Sequence, residues 1–179
     1  MLEVIFTVLA AAAAVLAVVA ALQPAAFHIV RSATIAAPPA VVFGQVNDLR
    51  KWEAWSPWAR LDREMQRSYE GPPAGAGAVS IWAGNSEAGQ GRLTIVESQP
   101  GDLIRLRLEF VKPFPCTNSV VFTFKPGGGQ TVVTWSMSGT NNFIAKAIGL
   151  FMKMDKVVGT QFEAGLANLR SVSEAEASR

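Results

Sequence analysis

The chain has 179 residues and a formal net charge of +2, from 16 Lys and Arg set against 14 Asp and Glu. That near-balance excludes an electrostatic case for a nucleic-acid partner, which needs a concentrated basic surface. A single cysteine, Cys116, excludes an intrachain disulfide, and a single histidine, His28, leaves no His/Cys cluster with metal-ligand spacing. No cofactor motif stands out. The glycine-rich stretches 71–77 and 127–129 do not open a helix, so they read as hairpin loops and not as phosphate cradles.

The first element is an uncharged run from Val4 to Leu22. As a helix of about 19 residues it reaches roughly 28 Å, close to the thickness of a bilayer's hydrocarbon core. A single membrane span over residues 1–23 is the expectation. A cleaved signal peptide is the rival, with Val19-Ala20-Ala21 as a small-residue cleavage site, but Glu3 is the only ionised side chain ahead of the run and no positive charge precedes it. An interfacial helix is the third reading. Arg31, Arg50 and Lys51 follow the span, so the positive-inside tendency leans the rest of the chain toward the cytoplasmic side.

Ala25 to Ile35 is rich in β-branched residues and reads as a strand broken by Ala36-Ala37-Pro38-Pro39. Pro39 suits the first turn of a helix and can open one to about Asn47, with Val42, Phe43 and Val46 on its apolar face. Asp48 to Trp58 continues as a second short helix broken at Pro57, with three tryptophans, Trp52, Trp55 and Trp58. Six strands follow, over 65–71, 78–85, 91–98, 103–111, 118–125 and 130–138. The fourth alternates most cleanly, Ile104, Leu106, Leu108 and Phe110 against Arg105, Arg107 and Glu109, the pattern of an antiparallel strand with one dry face. Asn142 to Arg170 then places Phe143, Ala147, Phe151, Met154, Val158, Phe162, Gly165 and Leu169 at helical spacing, with Thr140, Asn141 and Asn142 available as an N-cap. One long helix after a run of strands needs a sheet to lie against. The expected architecture is α+β: about seven antiparallel strands curved around a C-terminal helix, enclosing a cavity.

The order of these elements, the start FHIVRSATIAAPPAVVFGQVNDLRKWEAWSPW and the close FMKMDKVVGTQFEAGLANLR resemble the polyketide cyclase/dehydrase and lipid-transport family of the START and pollen-allergen-like (SRPBCC) superfamily. The resemblance covers about residues 25–170. It implies a helix-grip domain over 25–171, with 172–179 left as a disordered tail, and a deep apolar cavity of the kind that superfamily uses for lipids, sterols, hormones or polyketides.

Trp55, Trp58, Tyr69, Trp82, Trp135, Met137, Phe151, Met154 and Phe162 are candidates to line such a cavity, with core packing as the alternative for each. Asn85 continues the Val79, Ile81, Ala83 face and Glu97 the Leu93, Ile95 face, so both are candidates for polar groups at its rim, or else for solvated strand ends. His28 falls on the wetter face of its strand and Cys116 reads as structural. Gly149, Gly159 and Gly165 interrupt the long helix and imply close packing on the sheet or room for a ligand. The expected function is membrane-anchored binding of a hydrophobic or amphipathic small molecule. The alternatives are a cyclase, dehydratase or hydrolase on an apolar substrate, which would need ionisable groups converging in the cavity, and a protein-interaction module.

Overall fold

The structure is a computed structural model and describes residues 1–179. Helix α1 (Leu2–Leu22) is exposed along its length except at Ala20 and is long and apolar enough to cross a membrane. Strand β1 (Ala26–Ile35) follows after three residues, then α2 (Pro39–Asn47), the short α3 (Trp52–Trp55) and a 3-10 turn over Pro57–Arg60. Strands β2 (Gln66–Glu70), β3 (Val79–Ala83), β4 (Gln90–Gln99), β5 (Leu103–Lys112), β6 (Cys116–Gly127) and β7 (Gln130–Thr140) form a meander, closed by α4 (Phe143–Gly149) and α5 (Met154–Ala177). The seven strands make one antiparallel sheet in the order β1-β7-β6-β5-β4-β3-β2, so the first strand joins the last.

Period-two alternation decides the faces. Ile104 and Leu106 of β5, Val120, Phe122 and Phe124 of β6, and Val133 and Trp135 of β7 point inward and are buried. Against them α5 lays Phe162, Leu166 and Leu169, all buried. Each such side chain contributes about 1.5–3 kcal/mol by leaving water, so the sheet–helix contact dominates the fold. Phe43 of α2 meets Phe124 edge-on, their centroids 5.4 Å apart, and Trp52 and Trp55 of α3 pack on Phe122 and Trp135. This core fills the end of the sheet where β1 and β6 finish and β5 and β7 begin.

Two expectations change here. The single helix from Asn142 to Arg170 is two helices, separated at residues 150–153. Asn142 caps the first, its Oδ1 accepting from the Ala145 N–H at 2.9 Å. Gly149, with its high helical cost, is the last residue of α4. Arg31 of β1 then fixes the start of α5: its guanidinium donates to the Asp155 carboxylate at 3.1 and 3.2 Å, to the Asp155 carbonyl at 3.1 Å and to Glu163 Oε1 at 2.7 Å. Gly159 lies under that guanidinium, where a Cβ would overlap it. The tail is the second change. Residues 172–177, expected to be disordered, continue α5, because Glu174 accepts from the Ala36 N–H at 2.8 Å, Glu176 accepts from the Gln45 side chain and Ser173 is buried.

Candidate functional site

At the opposite end of the sheet the helix and strands part to leave a cavity of about 730 Å³. Its walls come from the start of β1 (Phe27, Ile29), the end of β5 (Leu108, Phe110), the start of β6 and the end of β7 (Met137). Its floor is the aromatic cluster. Trp135 stacks on Phe162 at 4.2 Å with the planes 8° apart, and Trp58 stands edge-on to both, at 5.6 and 6.0 Å. Trp135 can lie flat there because α5 offers Gly165: a Cβ at that position would sit 2.7 Å from Trp135 Cζ3 and 3.1 Å from Pro57 Cδ. Of the 33 lining residues 24 are hydrophobic, so the cavity is apolar.

The polar residues in the wall are Ser56, Arg67, Ser80, Thr117, Asn118, Thr140, Asn141 and Asn142. Asn118 is 8% exposed, and it shares the parity of Val120, Phe122 and Phe124 at the point where β6 enters the cavity. Gly139 of β7 leaves its amide room, since a Cβ there would overlap Asn118 Oδ1 and crowd the Phe27 ring. Apart from a long 3.8 Å contact to Cys116 Sγ, its side-chain amide makes no protein hydrogen bond. Arg67 is the one charged lining residue, and it is engaged: it donates to the Ala59 carbonyl at 3.1 Å and pairs with Glu53 at 3.4 Å. Trp135 Nε1 is buried without a partner, whereas Trp52, Trp55 and Trp82 donate to the carbonyls of Val46, Gln45 and Ala88.

Six of the residues singled out in the sequence line this cavity: Trp58, Trp82, Trp135, Met137, Met154 and Phe162. Three do not. Trp55 is fully buried behind the floor, as core. Tyr69 lies on the inner face of β2 but beyond the cavity, with its hydroxyl donating to Glu53 at 3.1 Å and the Arg50 guanidinium 4.9 Å over its ring. Burial, chiefly, with the Glu53 charge beside it, raises its phenol above the ordinary value of 10.0. Phe151 is in the turn between α4 and α5 and 78% exposed, because the helix break takes it out of phase.

Neither rim carboxamide nor rim carboxylate faces in. Strand β3 presents Ser80 and Trp82 to the cavity and turns Val79, Ile81 and Ala83 outward, the reverse of the expected parity. Trp82 gains most from burial, packing edge-on against Phe110 at 5.5 Å. Asn85 follows β3 into a turn, where Oδ1 accepts from the Glu87 and Ala88 N–H groups at 2.9 and 3.0 Å. Glu97 starts on the right parity, but the register of β4 slips between Ile95 and Glu97, and the extra residue turns it to the outer face opposite Arg105. The Arg105 hydrogen bond, at 3.1 Å, and then that from Gln99 hold its carboxyl below the usual range. His28 is exposed on the outer face, as its parity implies, while Cys116 is exposed at the cavity wall and not buried as a structural thiol. Sequence reasoning overlooked Asn118, whose parity was readable, and the α4 side chains Ile144 and Ile148, which line the cavity because α4 turns away from α5.

The family model for polyketide cyclase / dehydrase and lipid transport matches residues 26–174, nearly the whole chain after α1. The chain belongs to this family. Among curated protein sequences none matches it. Among solved structures it is similar to protein CV1439 from Chromobacterium violaceum, at 16% identity and TM-score 0.60, covering 82% of this chain and 96% of that one. It is similar to the Aha1 dimer from Colwellia psychrerythraea, at 12% identity and TM-score 0.59, covering 83% and 96%. It also resembles the di-domain ARO/CYC StfQ from the steffimycin biosynthetic pathway, at 13% identity and TM-score 0.64, covering 87% of this chain and 53% of StfQ. At such identities the likeness concerns the fold. In this member of the polyketide cyclase/dehydrase family the helix-grip sheet encloses an apolar cavity and follows a 21-residue apolar helix.

Proposed function

We propose that this protein is a membrane-anchored binder of one amphipathic, lipid-like molecule, held between the sheet and α4–α5. The observation that carries the reading is the wall: about 730 Å³, mostly hydrophobic, floored by stacked aromatic rings, with the Asn118 carboxamide among its few neutral polar groups. Cavities of roughly 300–1,000 Å³ suit ligands of drug or single-lipid size. The apolar body lies on Trp58, Trp135 and Phe162, and a neutral polar group meets Asn118. Asp, Glu and His do not occur among the lining residues, and Arg67 is engaged by Glu53, so the wall favours binding over acid–base catalysis. Helix α1 supplies the anchor, and Arg31, Arg50 and Lys51 after it favour the cytoplasmic side.

The test is native extraction. The full chain is isolated in polymer-bounded membrane discs, the surrounding lipid is profiled, and molecules retained on the protein are identified by mass spectrometry. Met137→Trp, which fills the cavity from β7, is the comparison. A stoichiometric molecule enriched over the surrounding lipid in the native chain and lost from the variant supports binding. The same profile from both proteins refutes it.

A further inference from the structure

The cavity's mouth and the anchor share an element. Only Asn141 and Asn142 separate β7 from α4, and α4 packs against the end of α1. Lys146 Nζ donates to the Ala21 carbonyl at 2.8 Å, and the Asn141 N–H donates to the Ala25 carbonyl at 2.7 Å. The end of α1 is therefore fixed beside α4, while the rest of α1 projects free of the domain.

From here the surface turns apolar. Phe143, Ile144, Ile148, Phe151, Met152 and Met154 are all exposed within a dozen residues, and Phe114 stands exposed in the β5–β6 loop. Phe114, Ile144, Ile148 and Met154 also line the cavity, so they form its rim. A soluble face would not concentrate large apolar side chains this way without something to cover them. The covering is indicated by what borders the patch. Lys153 and Lys156 flank the turn and Lys112 precedes Phe114; all three are exposed, and none is in an ion pair. Apolar and aromatic side chains fringed by unpaired lysines suit the boundary layer of a bilayer with anionic headgroups. A second copy of the chain would bring the same lysines against one another.

We infer that α4, the turn at 150–153 and the β5–β6 loop seat in the interfacial layer of the bilayer that α1 enters, so that the cavity opens into lipid and its ligand passes between membrane and protein without crossing water. This rests on the anchoring reading above. The test uses the full chain with Cys116→Ser and one new cysteine at a time, labelled with an environment-sensitive nitrobenzoxadiazole dye. The chain is reconstituted into phosphatidylcholine/phosphatidylglycerol vesicles with and without acyl-brominated lipid. Val15→Cys reports the anchor, Phe151→Cys and Phe114→Cys the mouth, and Lys125→Cys the far end of the sheet. Quenching of twofold or more at 15, 151 and 114, with none at 125, is the expected result. Quenching at 15 without quenching at 151 and 114 overturns the docking surface and leaves the anchor standing. No quenching at 15 removes the anchor and the inference with it.

Discussion

Replacing Gly165 by alanine should destabilise this protein, although alanine is the better helix former. In a helix interior the exchange ordinarily gains about 1 kcal/mol. Here the new methyl would lie 2.7 Å from Trp135 Cζ3 and 3.1 Å from Pro57 Cδ. Trp135 cannot yield cheaply, because Phe162 stacks on it at 4.2 Å and Phe122 lies against it at 4.8 Å. Overpacking of this kind costs roughly 1–3 kcal/mol, leaving a net loss of up to about 2 kcal/mol. At roughly 2–4 °C per kcal/mol for a domain this size, Tm falls by up to about 8 °C. Gly149 is the internal comparison: nothing lies within 4 Å of a Cβ there, so Gly149→Ala raises Tm or leaves it unchanged. Both are read by circular dichroism at 222 nm on the full chain in detergent. In a Trp135→Phe background the penalty at 165 shrinks, giving a coupling of about 1 kcal/mol or more in the double-mutant cycle. If Gly165→Ala raises Tm as Gly149→Ala does, α5 does not lie this close to the floor of the cavity, and the reasoning is wrong.

Gly159→Ala lowers Tm while Arg31 is present and raises it in an Arg31→Ala background, since the three atoms nearest the new Cβ all belong to that guanidinium; a sign that does not reverse refutes the contact. Asp155 titrates below its ordinary 3.8 because Arg31 hydrogen-bonds its charged form. A depressed carboxylate stabilises fully above its unfolded pKa and stops stabilising as pH falls through the folded one. The Arg31–Asp155 tie therefore holds from neutral pH down to about 4 and is lost below it, so Tm profiles of wild type and Asp155→Asn should run parallel above pH 5 and converge in acid. Asn118→Leu should change which molecules the native extract retains, while Glu97→Gln, on the outer face, leaves the profile unchanged.

How much of this was readable depends on where the signal was local. β5, β6 and β7 alternate between large apolar and polar residues, and their faces follow directly. In β3 both faces carry apolar residues, Trp82 against Val79 and Ile81, so parity gives two sets without saying which is inside; Phe110 on β5, with which Trp82 packs, decides it. Glu97 was misplaced by one extra residue, a register slip that depends on β5 and leaves no mark in β4. The break at 150–153 and the ordered tail have the same origin. Arg31, Ala36 and Gln45 hold segments more than a hundred residues away, and their partners Asp155, Glu174 and Glu176 read in sequence as ordinary solvated acids.

The join between first and last strands also sets a timetable. Ile35 pairs with Thr131 and Ala26 with Thr140, so β1 has its only neighbour in the sheet about a hundred residues downstream. At roughly 5–20 residues per second, synthesis leaves β1 unpartnered for several seconds or more after α1 has formed. Contacts of such separation also make for slow folding. During that interval Phe27 and Ile29, later cavity wall, are bare beside the newly made α1. Docking of β1 on β7 and of Arg31 on α5 must await residues 131–163, and it completes the sheet. A nascent chain stopped before residue 131 should thus be open to proteases and dependent on chaperones, however well β2 to β5 have paired.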